Sequence, residues 1–419
     1  MLSAGPLGAA ARVDGPTPRA RTTRTVSRER PGAWDTGRMP RPIPVTSSSR
    51  STLGVEWELQ LVDRDTGQAR QCASAVLAAV HDEHAGTSGV VGELLQNTVE
   101  LVTGVCRTVE EAGRDLTRSL ALVRDAADPM RVDVIGAGTH PFSRWEEQTM
   151  TDADRYATLI DRTQWWGRQM TIYGVHVHVG IEDRDRMLPI IDGLLTEAGS
   201  LLALSASSPY WQGEATRYAS NRSLLFQQLP TAGLPYSFDS WEAYEAYVED
   251  MLTMGVIDQL SEIRWDIRPV PAFGTIEVRV ADAMPTLREV LALAALIQCL
   301  VEDFSSRLDA GEALPRLTPW QIAENKWRAA RYGMEAILVV GADNAEELVT
   351  DHVRDLIERL APVAERLGCA RELADVEEIL RAGASYQRQL AVAAEPGATG
   401  HDVVRSLVAE LDADRPAPA

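Results

Sequence analysis

The sequence predicts an α+β fold built on a mostly antiparallel sheet, and three observations lead there. Strand and helix patterns interleave without the regular spacing of βαβ units, then give way to a helical C-terminal third. There is no Walker-type glycine loop, and Gly136-Ala137-Gly138 lacks the further glycine and helix of a dinucleotide fingerprint. Three separate segments alternate between apolar and polar residues, the period of a strand with one buried face.

The elements follow in order. Thr52 to Val62 puts Val55, Trp57, Leu59 and Leu61 on one face and Glu56, Glu58 and Gln60 on the other. Thr108 to Asp128 reads as a helix opened by a capping box of Thr108 and Glu111. Val132 to Ile135 is a short strand entering the Gly136–Thr139 turn. Ile172 to Ile181 alternates Val175, Val177 and Val179 with His176, His178 and Gly180. Pro189 to Ser207 is a helix stopped by Ser208-Pro209. The irregular stretch Tyr210 to Asp239 is long enough to suggest a functional loop. Trp241 to Met254 is helical, and Trp265 to Val280 holds a strand with Ile276, Val278 and Val280 opposite Thr275, Glu277 and Arg279. Thr286 to Asp309 is a buried helix whose apolar run is interrupted by Gln298. Ala345 to Leu367, Leu373 to Ala394 and His401 to Leu411 complete the helical part. No internal repeat is visible.

Composition bounds the function. A chain of 419 residues suffices for one large domain. Its formal net charge of -20 repels phosphate backbones, which argues against nucleic-acid binding. An acidic protein with a nucleotide substrate needs a metal to screen the phosphates. Cys72, Cys106, Cys299 and Cys369 are widely spaced with no CxxC pair, as expected of a reduced, cytoplasmic protein. No run reaches the roughly 18 apolar residues of a membrane span. Lys326 is the sole lysine among 41 basic residues, a coding bias that weakens any single arginine as a phosphate signal. Residues 1–50 are rich in Arg, Pro, Ser, Thr and Ala without periodicity. They are read as a disordered or mis-started extension, Met39 being an alternative start, and residues 51–415 as one catalytic domain.

The chemistry lies on the polar faces of the three strands. Glu56 and Glu58, His176 and His178, and Glu277 and Arg279 are each i, i+2 pairs that project from one face. Taken singly, Glu-x-Glu is usually a solvated strand face and Glu-x-Arg a surface ion pair. On three strands with the same apolar reverse, they predict a shared cavity lined by hard oxygen ligands and imidazole, a set suited to Mg²⁺ or Mn²⁺. Glu93 and Glu100 are seven apart. They face opposite ways on a regular strand, the same way on a helix, and both inward if a turn or bulge lies near Asn97.

Six strings carry a family resemblance: Gly54-Val-Glu-Trp-Glu-Leu59, Gly138-Thr-His-Pro141, Gly174-Val-His-Val-His-Val-Gly180, Asn221-Arg-Ser223, Trp265-Asp-Ile-Arg-Pro269 and Gly274-Thr-Ile-Glu-Val-Arg279. From Ser51 to Ala394 the chain resembles the carboxylate–amine ligases of the glutamate–cysteine ligase type 2 family, in the glutamine synthetase superfamily. The resemblance implies a twisted, mostly antiparallel sheet of glutamine synthetase/guanido kinase type. Its concave face would bind ATP and two or three Mg²⁺ or Mn²⁺ ions, with helices packed behind.

It implies that Glu58, Glu93 and Glu100 hold one metal and Glu56, His176 and Glu277 another. His178 would sit by the nucleotide or the transferred phosphoryl group, and Arg279 would contact that group or the acyl phosphate. Arg222 and Arg268 are candidates for a substrate carboxylate or phosphate, with a structural ion pair as the alternative. His140 is expected to be a hydrogen-bonded turn histidine, with loop orientation as its functional alternative. The implied reaction joins glutamate to cysteine at the expense of ATP, giving γ-glutamylcysteine, ADP and phosphate; the amine stays open between cysteine and another. Expected partners are small molecules, with no nucleic acid and no membrane, and a homodimer is a candidate assembly. A metal-dependent phosphotransferase on the same fold and a non-catalytic nucleotide-binding paralogue are the rival readings. The aromatic stretch Tyr210 to Asp239 is expected to help cover the site.

Overall fold

In a computed structural model the described residues are 41–417 apart from 85–87. A seven-stranded sheet comprises β1 (Leu53–Asp63), β2 (Val90–Gly92), β3 (Thr98–Val102), β4 (Val132–Ile135), β5 (Gly174–Gly180), β6 (Ile267–Val270) and β7 (Thr275–Asp282). Its order is β6-β7-β5-β1-β3-β2, with β4 also on β1, and every pairing is antiparallel. β1 is 11 residues long and serves three partners. Residues 53–57 face β5, 56–60 face β3, and 60–63 face β4.

The apolar faces predicted for β1, β5 and β7 are buried. Trp57, Leu59, Val175, Val177, Val179, Ile276 and Val278 belong to one core with the long helices Val109–Ala127, Met187–Ser205 and Leu287–Asp309. Thr108 caps the first of these by accepting from Glu111 N, worth about 1 kcal/mol. By length and composition alone, the segment Arg184–Ser205 could cross a membrane; its most apolar window is 83% buried inside the protein. The polar break Gln298 has a structural role, because its Nε2 donates to the buried Ser51 carbonyl at 2.7 Å.

Three departures from the sequence reading stand out. Residues before Ser51 join the fold: Ile43 N donates to Glu245, Thr46 N to the Pro271 carbonyl, and Arg50 pairs with Glu302 and Asp309. Residues 1–40, including Met39, lie outside the described residues. The strand expected within Trp265–Val280 is a hairpin, β6 and β7, turned at Gly274, whose φ of 64° suits glycine. Residues 310–344, left unassigned above, contain the helix Pro319–Tyr332. It is opened by a capping box of Thr318 and Gln321 and stopped at Gly333.

Candidate active site

The strand pairing brings the polar residues together across the sheet. Glu56 lies opposite His176, Glu58 opposite Glu100, and Glu277 opposite both His178 and Arg268. A register shift between Val278 and Ala281 marks a bulge beside Arg279, whose N–H donates to the Asp266 carbonyl at 2.8 Å. The turn at residues 96–97, one of the alternatives weighed for this stretch, leaves Glu100 on β3 and Glu93 in the preceding loop.

Glu56 Oε2 lies 2.9 Å from His176 Nδ1, and Glu56 Oε1 lies 3.3 Å from His178 Nε2. Burial pushes the Glu56 pKa up, but its interactions with the His176 and His178 imidazoles outweigh this and hold the pKa below the usual carboxylate range. Glu277 is buried yet ionised. The charges of Arg279 and Arg268 overcome its desolvation, with Arg268 Nε donating to Oε2 at 2.6 Å and Arg279 Nη1 to Oε1. Burial, then the Arg279 charge, lowers the His176 pKa to about 4, so the ring is neutral at pH 7. His178 accepts or donates at Nδ1 with Thr275 Oγ1 at 3.0 Å, while its buried Nε2 has no aligned hydrogen bond.

The second group is self-repelling. Burial, then the Glu93 charge, pushes Glu58 up to about 7. Burial, then Glu56, Glu58 and Glu93, pushes Glu100 up to about 10. Two sets of donors each lie within 4.8 Å of one another: Glu56, His176 and Glu277, and Glu58, Glu100 and His176. Clustered carboxylate oxygens with one shared imidazole fit a hard divalent cation, which would relieve that repulsion. Glu93 falls outside both sets. Its Oε2 accepts from Leu94 N at 2.5 Å and from the Tyr156 hydroxyl at 3.2 Å.

The arginines differ in what they leave free. Arg222, on the helix Asn221–Phe226, donates through both Nη atoms to the Arg279 carbonyl at 3.2 Å; its buried Nε has no partner among the described residues. The same holds for Arg279 Nε. Arg268 is occupied by Glu277 and by the Ser261 and Ile263 carbonyls, the structural ion pair weighed as its alternative, though it still lines the cavity. His140 sits in its turn, where Nδ1 accepts from Ser143 N at 2.9 Å and Nε2 donates to the Gly67 carbonyl at 3.0 Å.

Two supports escaped the sequence reading. Asp282 accepts from Ser207 N, Ser208 Oγ and Ser220 Oγ, anchoring the N-terminus of the Arg222 helix. Lys326 Nζ donates to Asp266 Oδ2 at 2.6 Å in a buried pair next to the carbonyl that receives Arg279 N. Neither has a local motif, although a lone lysine in an arginine-rich chain is a faint signal.

A cavity of about 470 Å³ opens from this array and is lined by Glu58, Glu93, His176, Arg222, Arg268 and Arg279. Of the expected cover, Phe226, Leu229, Pro230 and Thr231 line it; the rest comes from the helix Asp154–Thr163 and residues 256–262.

Its sequence relatives place the chain among ATP-dependent ligases that form a carbon–nitrogen bond. The chain belongs to glutamate–cysteine ligase family 2, whose sequence model matches residues 52–410. It is 58% identical over 375 residues to a Paenarthrobacter aurescens protein named "Putative glutamate--cysteine ligase 2-2", covering 88% of this chain and 98% of that one. It is 54% identical over 372 residues to a Nocardia farcinica protein of the same name, again covering 88% and 98%. The fold is shared with a Francisella tularensis glutamate–cysteine ligase solved with AMP, at a TM-score of 0.62, 16% identity, and coverage of 87% of this chain and 89% of that one. A bifunctional glutathione synthetase from Pasteurella multocida has a TM-score of 0.59 at 15% identity, covering 86% and 51%.

Proposed function

We propose that the protein activates the side-chain carboxylate of glutamate with ATP and joins it to an amine, cysteine among those accepted, through an acyl phosphate. The observation that supports this most is the convergence of Glu56, Glu58, Glu100, His176, His178, Glu277 and Arg279 on one sheet face, with the unpartnered Nε atoms of Arg222 and Arg279 beside them. The names of the relatives support glutamate and cysteine.

Glu56, His176 and Glu277, and Glu58 with Glu100, would hold Mg²⁺ or Mn²⁺, which when bound neutralises triphosphate charge. Arg279 offers its free N–H to the transferring phosphoryl group and later to the departing phosphate. His178, whose Nε2 lies 3.3 Å from Glu56 Oε1, would sit by the nucleotide or the transferred phosphoryl group. Arg222 would meet a substrate carboxylate. The helix Asp154–Thr163 and residues 256–262, which line the cavity, would help keep water from the acyl phosphate.

The test uses glutamate labelled with ¹⁸O in its side-chain carboxylate, together with ATP, Mg²⁺ and cysteine. Acyl phosphate chemistry delivers one labelled oxygen to inorganic phosphate for each amide formed. ATP consumption that yields a stable phosphorylated product without amide would establish the phosphotransferase instead.

A further inference from the structure

We propose that the preferred acceptor amine is an α-amino acid with a large apolar side chain, seated against a wall around Phe226 with its carboxylate at Arg264. This deepens the ligase reading above and rests on it.

The cavity lining is of two kinds. One is the array of Glu58, His176, Arg222 and Arg279. The other is a wall of Leu94, Leu159, Met170, Ile172, Phe226 and Leu229, which begins beside the array, the Arg222 guanidinium lying 5.7 Å from the centre of the Phe226 ring. These six form an apolar cluster separate from the core that joins the sheet to its helices. They reach it from the loop after β2, the helix Asp154–Thr163, the approach to β5, and the Arg222 helix with its following turn. The wall lies apart from the packing that holds the sheet; Met170, Phe226 and Leu229 are buried within it, and the half-buried Leu94, Leu159 and Ile172 give it a face toward the substrate space. A glutamate chain has only two methylenes to offer, and a cysteine one methylene and a thiol. Neither covers such a surface, whereas a leucine- or phenylalanine-sized group removes it from water.

The charges nearby separate Arg264 from the other cavity arginines. Arg162 is neutralised by Asp258 at 2.5 Å and Glu262 at 2.6 Å. Arg268 is paired with Glu277. Arg264 donates to the Glu262 carbonyl at 3.1 Å and has no carboxylate within ion-pair distance among the described residues. Burial disfavours its cation; the Glu262 charge opposes this, and the charges of Arg279, Arg268 and Arg162 add to the lowering. A crowded cation that lines a cavity and is bonded to no carboxylate among the described residues suits an anionic ligand group, and the carboxylate of an amino acid supplies one. The amine of that ligand, on the same carbon as the carboxylate, would then face the neighbouring array.

The test is a comparison of kcat/KM for alanine, cysteine, leucine, phenylalanine and phenethylamine as acceptors, with ATP, Mg²⁺ and glutamate, following amide by mass. Leucine and phenylalanine should exceed alanine and cysteine by at least about 10-fold. Phe226→Ala should erode that preference. Arg264→Gln should raise KM for phenylalanine and leave that for phenethylamine unchanged, a split that a folding defect would not produce. Amide formed best with cysteine or alanine overturns the proposal and leaves the ligase reading intact. No amide with any acceptor removes the ligase reading, and this proposal with it. An equal Arg264→Gln effect on phenylalanine and phenethylamine overturns the role of Arg264.

Discussion

Gly174 and Arg222 compete for one space: a Cβ built on Gly174 would lie 2.2 Å from Arg222 Nη2. The first residue of β5 thus leaves room for a guanidinium carried by a helix nearly fifty positions on, while its own N–H donates to Glu58 at 2.5 Å. Gly174→Ala should push Arg222 off the Arg279 carbonyl. The chain should fold with a modest loss of stability and lose about 10²-fold in kcat/KM. Steady-state kinetics beside thermal unfolding checks this. Full activity would mean that Arg222 relaxes without consequence.

Removing an ionisable carboxyl from the second group should stabilise the metal-free protein while weakening its function. Glu100, pushed up to about 10, must take up a proton on folding at pH 7, which costs stability. Glu100→Gln is expected to raise Tm in EDTA and to weaken Mn²⁺ binding by at least about 10-fold, read by electron paramagnetic resonance. A lower Tm in EDTA would show that the carboxylate stabilises the empty site.

His140 gives a pH dependence of known sign. Burial lowers its pKa to about 4, below the unfolded value of about 6.5. The unfolded chain binds the proton more readily, so this contribution is complete above about pH 6.5 and is lost as the pH falls toward 4, to a limit of about 3 kcal/mol. Urea denaturation of wild type and His140→Gln at pH 7.5 and 4.5 should show the stability difference shrinking at the lower pH. A constant difference would refute a neutral His140.

The Lys326–Asp266 pair should be costly to break from one side. Lys326→Met leaves a buried carboxylate unpaired and is expected to destabilise the fold by about 3–5 kcal/mol. Adding Asp266→Leu should recover part of that loss. Chemical denaturation of the wild type and these two variants measures both effects.

What the sequence disclosed follows the reach of each signal. The polar and apolar faces of β1, β5 and β7 were legible because a strand's period is local. The pairing of Glu56 with His176 was not, since it joins residues 120 apart. The turn at residues 96–97 was one of three alternatives that spacing could not separate. The Thr318–Gln321 capping box was present in the letters and went unread. Asp282 gathers Ser207, Ser208 and Ser220, ordinary polar residues that carry no pattern until the chain brings them together. The cover was only half anticipated, because aromatic content pointed at residues 210–239 while the helix Asp154–Thr163 gave no sign of lying over the site.

β1 comes first among the sheet strands in the chain and near the middle of the sheet in space, with β3, β4 and β5 along its edges. During synthesis it must wait with Trp57 uncovered until β5 arrives, and the array is incomplete until β7 has followed. Such long-range pairing makes folding slow and leaves an open strand edge during the wait. Shortened chains ending before β7 are therefore expected to aggregate rather than to be partly active.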